Sequence, residues 1–268
     1  VLYKIHYMTE QMLSDAAASP EQLLDNWNEF LSIIETEIES PRKEQLLKMY
    51  EHFSERLITM PASTRESHHN CFPGGYIQHV LNVVRNAIAI NDMWESAGAT
   101  INHTREELIF SAINHDLGKV GTTNEECYIP NPSEWHVRNQ GAIYTHNPNN
   151  SFAIVSDRSL FLLQEWGIKY SNNEFLGIKL HDGMYEDANK AYYLSHSDDS
   201  KLRCNLPYIL HQADMMAARI EYEMWKSKQS SNTAVTQIKS NRRPTNKTAV
   251  SSASKRKLQS LFAETFNV

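Results

Sequence analysis

The chain has 268 residues, 41% apolar and 22% charged, with nine glycines and nine prolines, a composition that fits a folded globular protein and excludes collagen-like and low-complexity classes. No apolar run exceeds four residues, which excludes a membrane-spanning helix; Val1-Leu2-Tyr3-Lys4 lacks a signal-peptide core; and three widely spaced cysteines, Cys71, Cys127 and Cys204, argue against a disulfide scaffold and for a reducing cytoplasm. The net charge of −6 is uneven, because residues 226–268 hold nine Lys or Arg against the single acid Glu264, leaving an acidic body that is a poor coat for nucleic acid and a basic tail suited to phosphate.

Residues 1–8 read as a short strand. Ser19-Pro20-Glu21-Gln22 supplies an N-cap, a first-turn proline and a capping-box glutamine, and Leu23, Leu24, Trp27, Phe30, Leu31 and Ile34 follow at helical spacing. Ser40-Pro41 starts a second helix with Leu46, Leu47, Tyr50, Phe53 and Leu57 on its inner face, ended by Met60-Pro61. Gly74-Gly75 precedes a long helix that reaches Ser96-Ala97-Gly98. Thr104 and Glu107 form a capping box for a helix ending at Gly118. Residues 120–155 are interrupted by Pro130, Pro132, Gly141 and Pro148, with β-like pieces at Tyr128-Ile129 and Ala142-Ile143-Tyr144. They predict a hairpin or an ordered lid. Further helices start at Asn172-Asn173 and at Asn205-Leu206-Pro207. Residues 227–254, rich in Ser, Thr and Asn and free of acids, predict a flexible basic linker.

These elements predict an all-α protein: a helical bundle with a small β-hairpin or lid insertion and a flexible C-terminal tail. An N-terminal helical extension (1–64) packs on a central domain (65–226). The linker (227–254) and a short amphipathic segment (255–268) follow. In that last segment Gln259, Phe262 and Phe266 form a strip suited to docking on a protein partner or to folding back on the acidic body.

His115-Asp116 is the centre of the chemical argument. It closes an apolar helix (Leu108, Ile109, Ala112, Ile113) just before Leu117-Gly118-Lys119. Adjacent residues within a helix point to different sides, but where the chain turns both can face one centre. An imidazole nitrogen and a carboxylate oxygen suit a divalent cation. His79, among Val83, Ala87 and Ile90, and Asp214, among Leu210 and Ala218, are polar groups on apolar helical faces. Such groups are costly to bury unless a partner or a metal satisfies them. Singly, each has a plain reading as a core histidine or a helix-pairing carboxylate, and a second His-Asp pair occurs at His181-Asp182. The signal lies in the ordered set His79, His115-Asp116, Asp214, each on its own helix.

This set, with Gly74-Gly75-Tyr76-Ile77-Gln78-His79 and His115-Asp116-Leu117-Gly118-Lys119 as its flanking motifs, resembles the HD-domain superfamily of metal-dependent phosphohydrolases over roughly residues 65–225, including members from tailed phages. The resemblance implies an HD-domain helical bundle and a divalent ion (Mn, Mg, Fe, Co or Ni) on His79, His115, Asp116 and Asp214. Members with two ions use two further histidines, for which His146 and His181 are available. His181 closes a helix, as that pattern requires. His146 lies in a Pro/Asn-rich loop, which favours one ion over two. Without a ligand role, His181 suits a general acid or a phosphate contact. Asp116 would ligate and accept a proton. Lys119 would face phosphate charge, or simply satisfy the helix end. An acid often stands at the Lys119 position in nucleoside-monophosphate phosphatases of the superfamily, which argues against that activity.

The implied substrate is a nucleotide or a nucleic-acid end, with Arg138, Tyr144, Tyr185 and Lys190 in the flanking loops. The pair His68-His69 resembles one in HD-type 3′ exonucleases. Two alternatives stay open: a di-iron oxygenase on the same fold, which needs both His146 and His181, and a non-catalytic nucleotide-binding module. The basic tail is expected to meet a protein partner or nucleic acid.

Overall fold

The computed structural model describes residues 18–240. The strand expected at 1–8, the terminal segment 255–268 and the linker beyond 240 lie outside the described residues. The described chain is mostly helical, with one two-stranded antiparallel sheet. No described helix is long and apolar enough to cross a membrane. The described residues divide after Trp225 into two units.

α1 (Pro20–Glu37) starts as its sequence requires: Ser19 Oγ accepts the Gln22 N–H at 3.2 Å, and Pro20 fills the first turn. It buries Trp27, Phe30 and Ile34. The second expected helix divides into α2 (Arg42–His52) and α3 (Ser54–Thr59). Phe53 leaves helical geometry at the junction and packs against the Trp166 ring. Leu46, Tyr50, Phe53 and Leu57 are nevertheless all buried, so the inward stripe survives the break.

α4 (Gly75–Ser96) follows a left-handed Gly74 and buries ten residues along its length, His79 among them. α5 (Arg105–Asn114) opens on the capping box: Thr104 Oγ1 accepts the Glu107 N–H at 3.1 Å, and Glu107 accepts the Thr104 N–H at 2.8 Å. It ends at Asn114, and a 3-10 turn (Leu117–Val120) takes the chain on to Gly121. β1 (Tyr128–Pro130) pairs with β2 (Tyr144–His146) in the register Tyr128↔His146, Ile129↔Thr145, Pro130↔Tyr144. α6 (Glu134–Gln140) lies between them. The second strand therefore starts two residues later than expected. The chain reverses at left-handed Gly141, the Ala142 N–H still bonds to the α6 carbonyl of His136, and pairing begins only at Tyr144.

α7 (Val155–Glu165) carries no sequence start signal, because its N-cap Ile154 makes no side-chain bond. α8 (Asn172–Leu180) opens on a second capping box, Ser171 with Glu174. α9 (Lys190–Tyr193) is one turn long. α10 (Leu206–Ser240) runs for 35 residues, through the first part of the stretch expected to be a linker. Residues 227–240 contain no Gly and no Pro, and Ser, Thr and Asn lower helix propensity without breaking a helix. One apolar cluster joins α1–α5, α7, α8 and α10. The N-terminal helices thus share the core of the central domain.

Candidate metal centre

α5 and α8 are built alike. Each starts with a capping box and ends on a His-Asp pair, His115-Asp116 and His181-Asp182, with the histidine at the C-cap. In each, the imidazole Nδ1–H donates back to the carbonyl three residues earlier: His115 to Ala112 at 2.7 Å and His181 to Ile178 at 2.8 Å. A carbonyl only accepts, so a proton sits on Nδ1 and Nε2 faces away from the helix. α4 supplies His79 by a different device. Its Nδ1 lies 3.0 Å from Glu221 Oε2, and Asn82 Nδ2 donates to Glu221 Oε1 at 2.8 Å. That carboxylate fixes the ring and leaves Nε2 for a ligand, the usual way a metal-binding histidine is oriented.

The turn after His115 is pinned from α7. Ser159 Oγ accepts the Gly118 N–H at 2.7 Å and lies 3.0 Å from the His115 carbonyl. The turn passes so close to α7 that a Cβ on Gly118 would stand 2.1 Å from the Val155 carbonyl oxygen. The turn after His181 is held from α10, where His211 Nδ1 donates to the His181 carbonyl at 2.8 Å. Gly183 there has φ +57, and a Cβ on it would overlap the His211 ring.

These devices bring five side chains to one centre. The ligand atoms of His79, His115 and Asp116 lie within 4.8 Å of one another, and so do those of His115, His181 and Asp214. His79 Nε2 is 3.1 Å from Asp214 Oδ1 and 3.7 Å from Asp116 Oδ2. His115 Nε2 is 3.4 Å from Asp116 Oδ2, and His181 Nε2 is 3.6 Å from Asp116 Oδ1. Asp214 meets His79 Nε2 as a close charge partner, and Nε2 of both His79 and His115 is buried with no hydrogen bond counted among the described residues. A buried polar atom left so costs about 1–3 kcal/mol. Two orphaned imidazole nitrogens facing two carboxylates are a donor set that fits a divalent cation, and this buried His/Asp group can hold one. Asp214, with 19% of its side chain exposed against 5% for Asp116 and none for His79, marks the open side.

The electrostatics point the same way. Burial raises the Asp116 pKa, but Lys119 and His115 outweigh it and hold the carboxyl well below its usual range. Burial likewise raises Asp214, and His79 and His115 beside it draw it down. His79 is pulled down by burial and lifted further by Glu221 and Asp214, to about 10. His181 is also depressed by burial and lifted by Asp182 and Asp116, to about 9. The cluster therefore attracts positive charge, and a cation entering it displaces protons. Lys119 Nζ sits 2.5 Å from Asp116 Oδ2 and is only 11% exposed. Burial and then Asp116 act on its pKa in opposite senses, and the net is a rise.

His146 stands apart from these groups. It is exposed on β2, its ring faces Tyr128, and its Nδ1 lies 3.9 Å from Cys127 Sγ. The hairpin pairing sets it opposite Tyr128, and it is in neither of the two ligand groups. Arg138 pairs with Glu134 on the exposed face of α6, Lys190 with Asp187, and Tyr144 is buried in β2. Tyr185 is exposed, 6.3 Å ring to ring from His211. Glu221 is a site residue missed in the sequence, although it stands seven residues after Asp214, two helical turns along α10. Of the pair His68-His69 singled out in the sequence, His69 has its ring centroid 4.5 Å from that of His79.

No family model matches the chain, and no curated protein or solved structure matches it.

Proposed function

We propose that the protein is a metal-dependent phosphohydrolase of the HD-domain type, acting on a phosphoester or phosphoanhydride of a nucleotide or nucleic-acid end. One observation carries this reading: His79, His115, Asp116 and Asp214, from three separate helices and one helix-ending turn, converge with unpartnered imidazole nitrogens and ionised carboxylates. A divalent cation there would supply Lewis acidity toward a phosphoryl oxygen and make a water acidic enough to attack at neutral pH. The chain's own groups do the rest. Asp116, held ionised between Lys119 and His115, serves as a ligand more than as a base. Lys119 brings an ammonium to the same carboxylate and can shift to a phosphoryl oxygen as charge builds there. His181 Nε2, 3.6 Å from both Asp116 and Asp182, is placed to hold a proton and deliver it to the leaving oxygen.

The oxygenase alternative needs His146 as well as His181, and the position of His146 on β2 favours hydrolysis. The basic stretch from 226 onward is the candidate contact for a nucleic-acid strand. A phosphate-release assay decides the reading, using chelated protein, nucleoside mono-, tri- and cyclic phosphates and nucleic-acid ends, with Mn, Mg, Co or Fe added back. Release restored by metal and abolished by Asp116→Ala in a folded protein is the expected result. No release from any substrate with any of these metals would overturn it.

A further inference from the structure

His69 belongs to none of the ligand groups, yet it is built into the centre. It lies in the segment between α3 and α4, which is tied down by its own backbone: His68 N–H donates to the Arg65 carbonyl, and Ala62 N–H and Phe72 N–H both donate to Asn70. Its ring lies alongside that of His79, tilted by 34°. Its Nε2 is buried and has no hydrogen-bond partner among the described residues. A buried imidazole nitrogen of this kind can carry an N–H and donate it. Leaving such a nitrogen sealed and unpaired is costly unless a bound group meets it.

Two partners are available to such a nitrogen. One is a metal ion, but His69 is in neither of the two ligand groups that His79, His115, Asp116, His181 and Asp214 form. The other is an oxygen of whatever binds at the ion. The ring edge offers an N–H donor, and Lys119 offers a charged one from the Asp116 side. A phosphoryl oxyanion is the group that takes both and tolerates the nearby carboxylates only when such donors are present.

We infer that His69 is a substrate-contacting residue, donating a hydrogen bond to a non-bridging oxygen of a phosphoryl group held at the His79–His115–Asp116–Asp214 centre. This rests on the phosphohydrolase reading for the identity of the ligand. The test uses full-length protein loaded with Mn, and inorganic phosphate as the probe. Titration calorimetry measures Mn affinity of the chelated protein and phosphate affinity of the loaded protein for the wild type, His69→Ala and His69→Gln. The expected result is Mn affinity within twofold of the wild type for both variants, with phosphate affinity at least tenfold weaker for His69→Ala and partly recovered by the amide donor of His69→Gln. Phosphate affinity unchanged in both variants overturns the inference, as does a loss of Mn affinity matching the loss of phosphate, which would make His69 part of the metal site. The two readings fail separately. Loss of phosphate binding in His69→Ala, in a protein that releases no phosphate from any substrate, supports the oxyanion contact and sinks the hydrolase. Unaltered phosphate affinity in an active hydrolase does the reverse.

Discussion

Gly118 and Glu221 are in neither ligand group, yet the position of the ligands depends on both. At Gly118 the α7 backbone leaves no room for a methyl group. Gly118→Ala must push the His115-Asp116 turn off Ser159, and overpacking of this kind costs about 1–3 kcal/mol. The expected outcome is a lower urea midpoint together with weaker Mn binding; a variant as stable and as metal-competent as the wild type would show that the turn moves freely. Glu221 holds the His79 ring through Nδ1 and is itself held by Asn82. Removing such an outer carboxylate weakens metal affinity by about 10–100-fold. Glu221→Ala should show that loss in a Mn titration, and Glu221→Gln, which can still accept from Nδ1, a smaller one.

Arg42 works between elements. Its guanidinium bonds Glu106 in the first turn of α5 at 2.5 Å and Glu174 in the first turn of α8 at 2.7 Å, and it lies over the Phe110 ring. It thereby ties α2 to the two helices whose far ends carry His115 and His181. Glu174 is completely buried. Its carboxyl is raised by that burial, which the Ser171 backbone and Arg42 only partly offset. Arg42→Ala leaves this carboxyl unpaired, and breaking a buried pair from one side costs about 3–5 kcal/mol. Chemical denaturation should show most of that loss. The double variant Arg42→Met with Glu174→Met should recover much of it, because no charge then stays buried alone.

Across the molecule, the centre joins α4, α10 and the ends of α5 and α8, so an ion there cross-links elements that are distant in sequence. Ligand that binds only the folded chain stabilises it by about 2.7 kcal/mol at a hundredfold excess over Kd, which for a unit of this size is a rise of about 5–10 °C in Tm. Mn should raise the Tm of chelated protein by that order, and Asp214→Asn should abolish most of the rise. Deletion of residues 241–268 removes six Lys or Arg. It should flatten the salt dependence of single-stranded DNA binding while leaving Mn affinity unchanged; an unaltered salt slope would remove the tail from nucleic-acid contact.

Local signals were legible wherever the physics is local. Ser19, Thr104 and Ser171 cap helices within three residues of themselves, and the first two announced their helices directly. The stripe from Trp27 to Leu57 was readable as buried because helical spacing repeats along the chain. His115-Asp116 stood out because its helix ends there. α7 was silent because its start has no cap, and the length of α10 was hidden because polar residues weaken a helix without stopping it. The long-range assignments belonged to the tertiary structure. His146 and His181 both stood as available histidines, until strand pairing put one against Tyr128 and helix packing put the other against Asp116. Glu221 gains its role from its contact with His79, and the role inferred for His69 rests on its own contact with that ring, neither of which the residue order encodes. Residue order determined which groups could bind an ion; the packing of α4, α5, α8 and α10 decided which of them meet, because ligand distances depend on how separate helices cross.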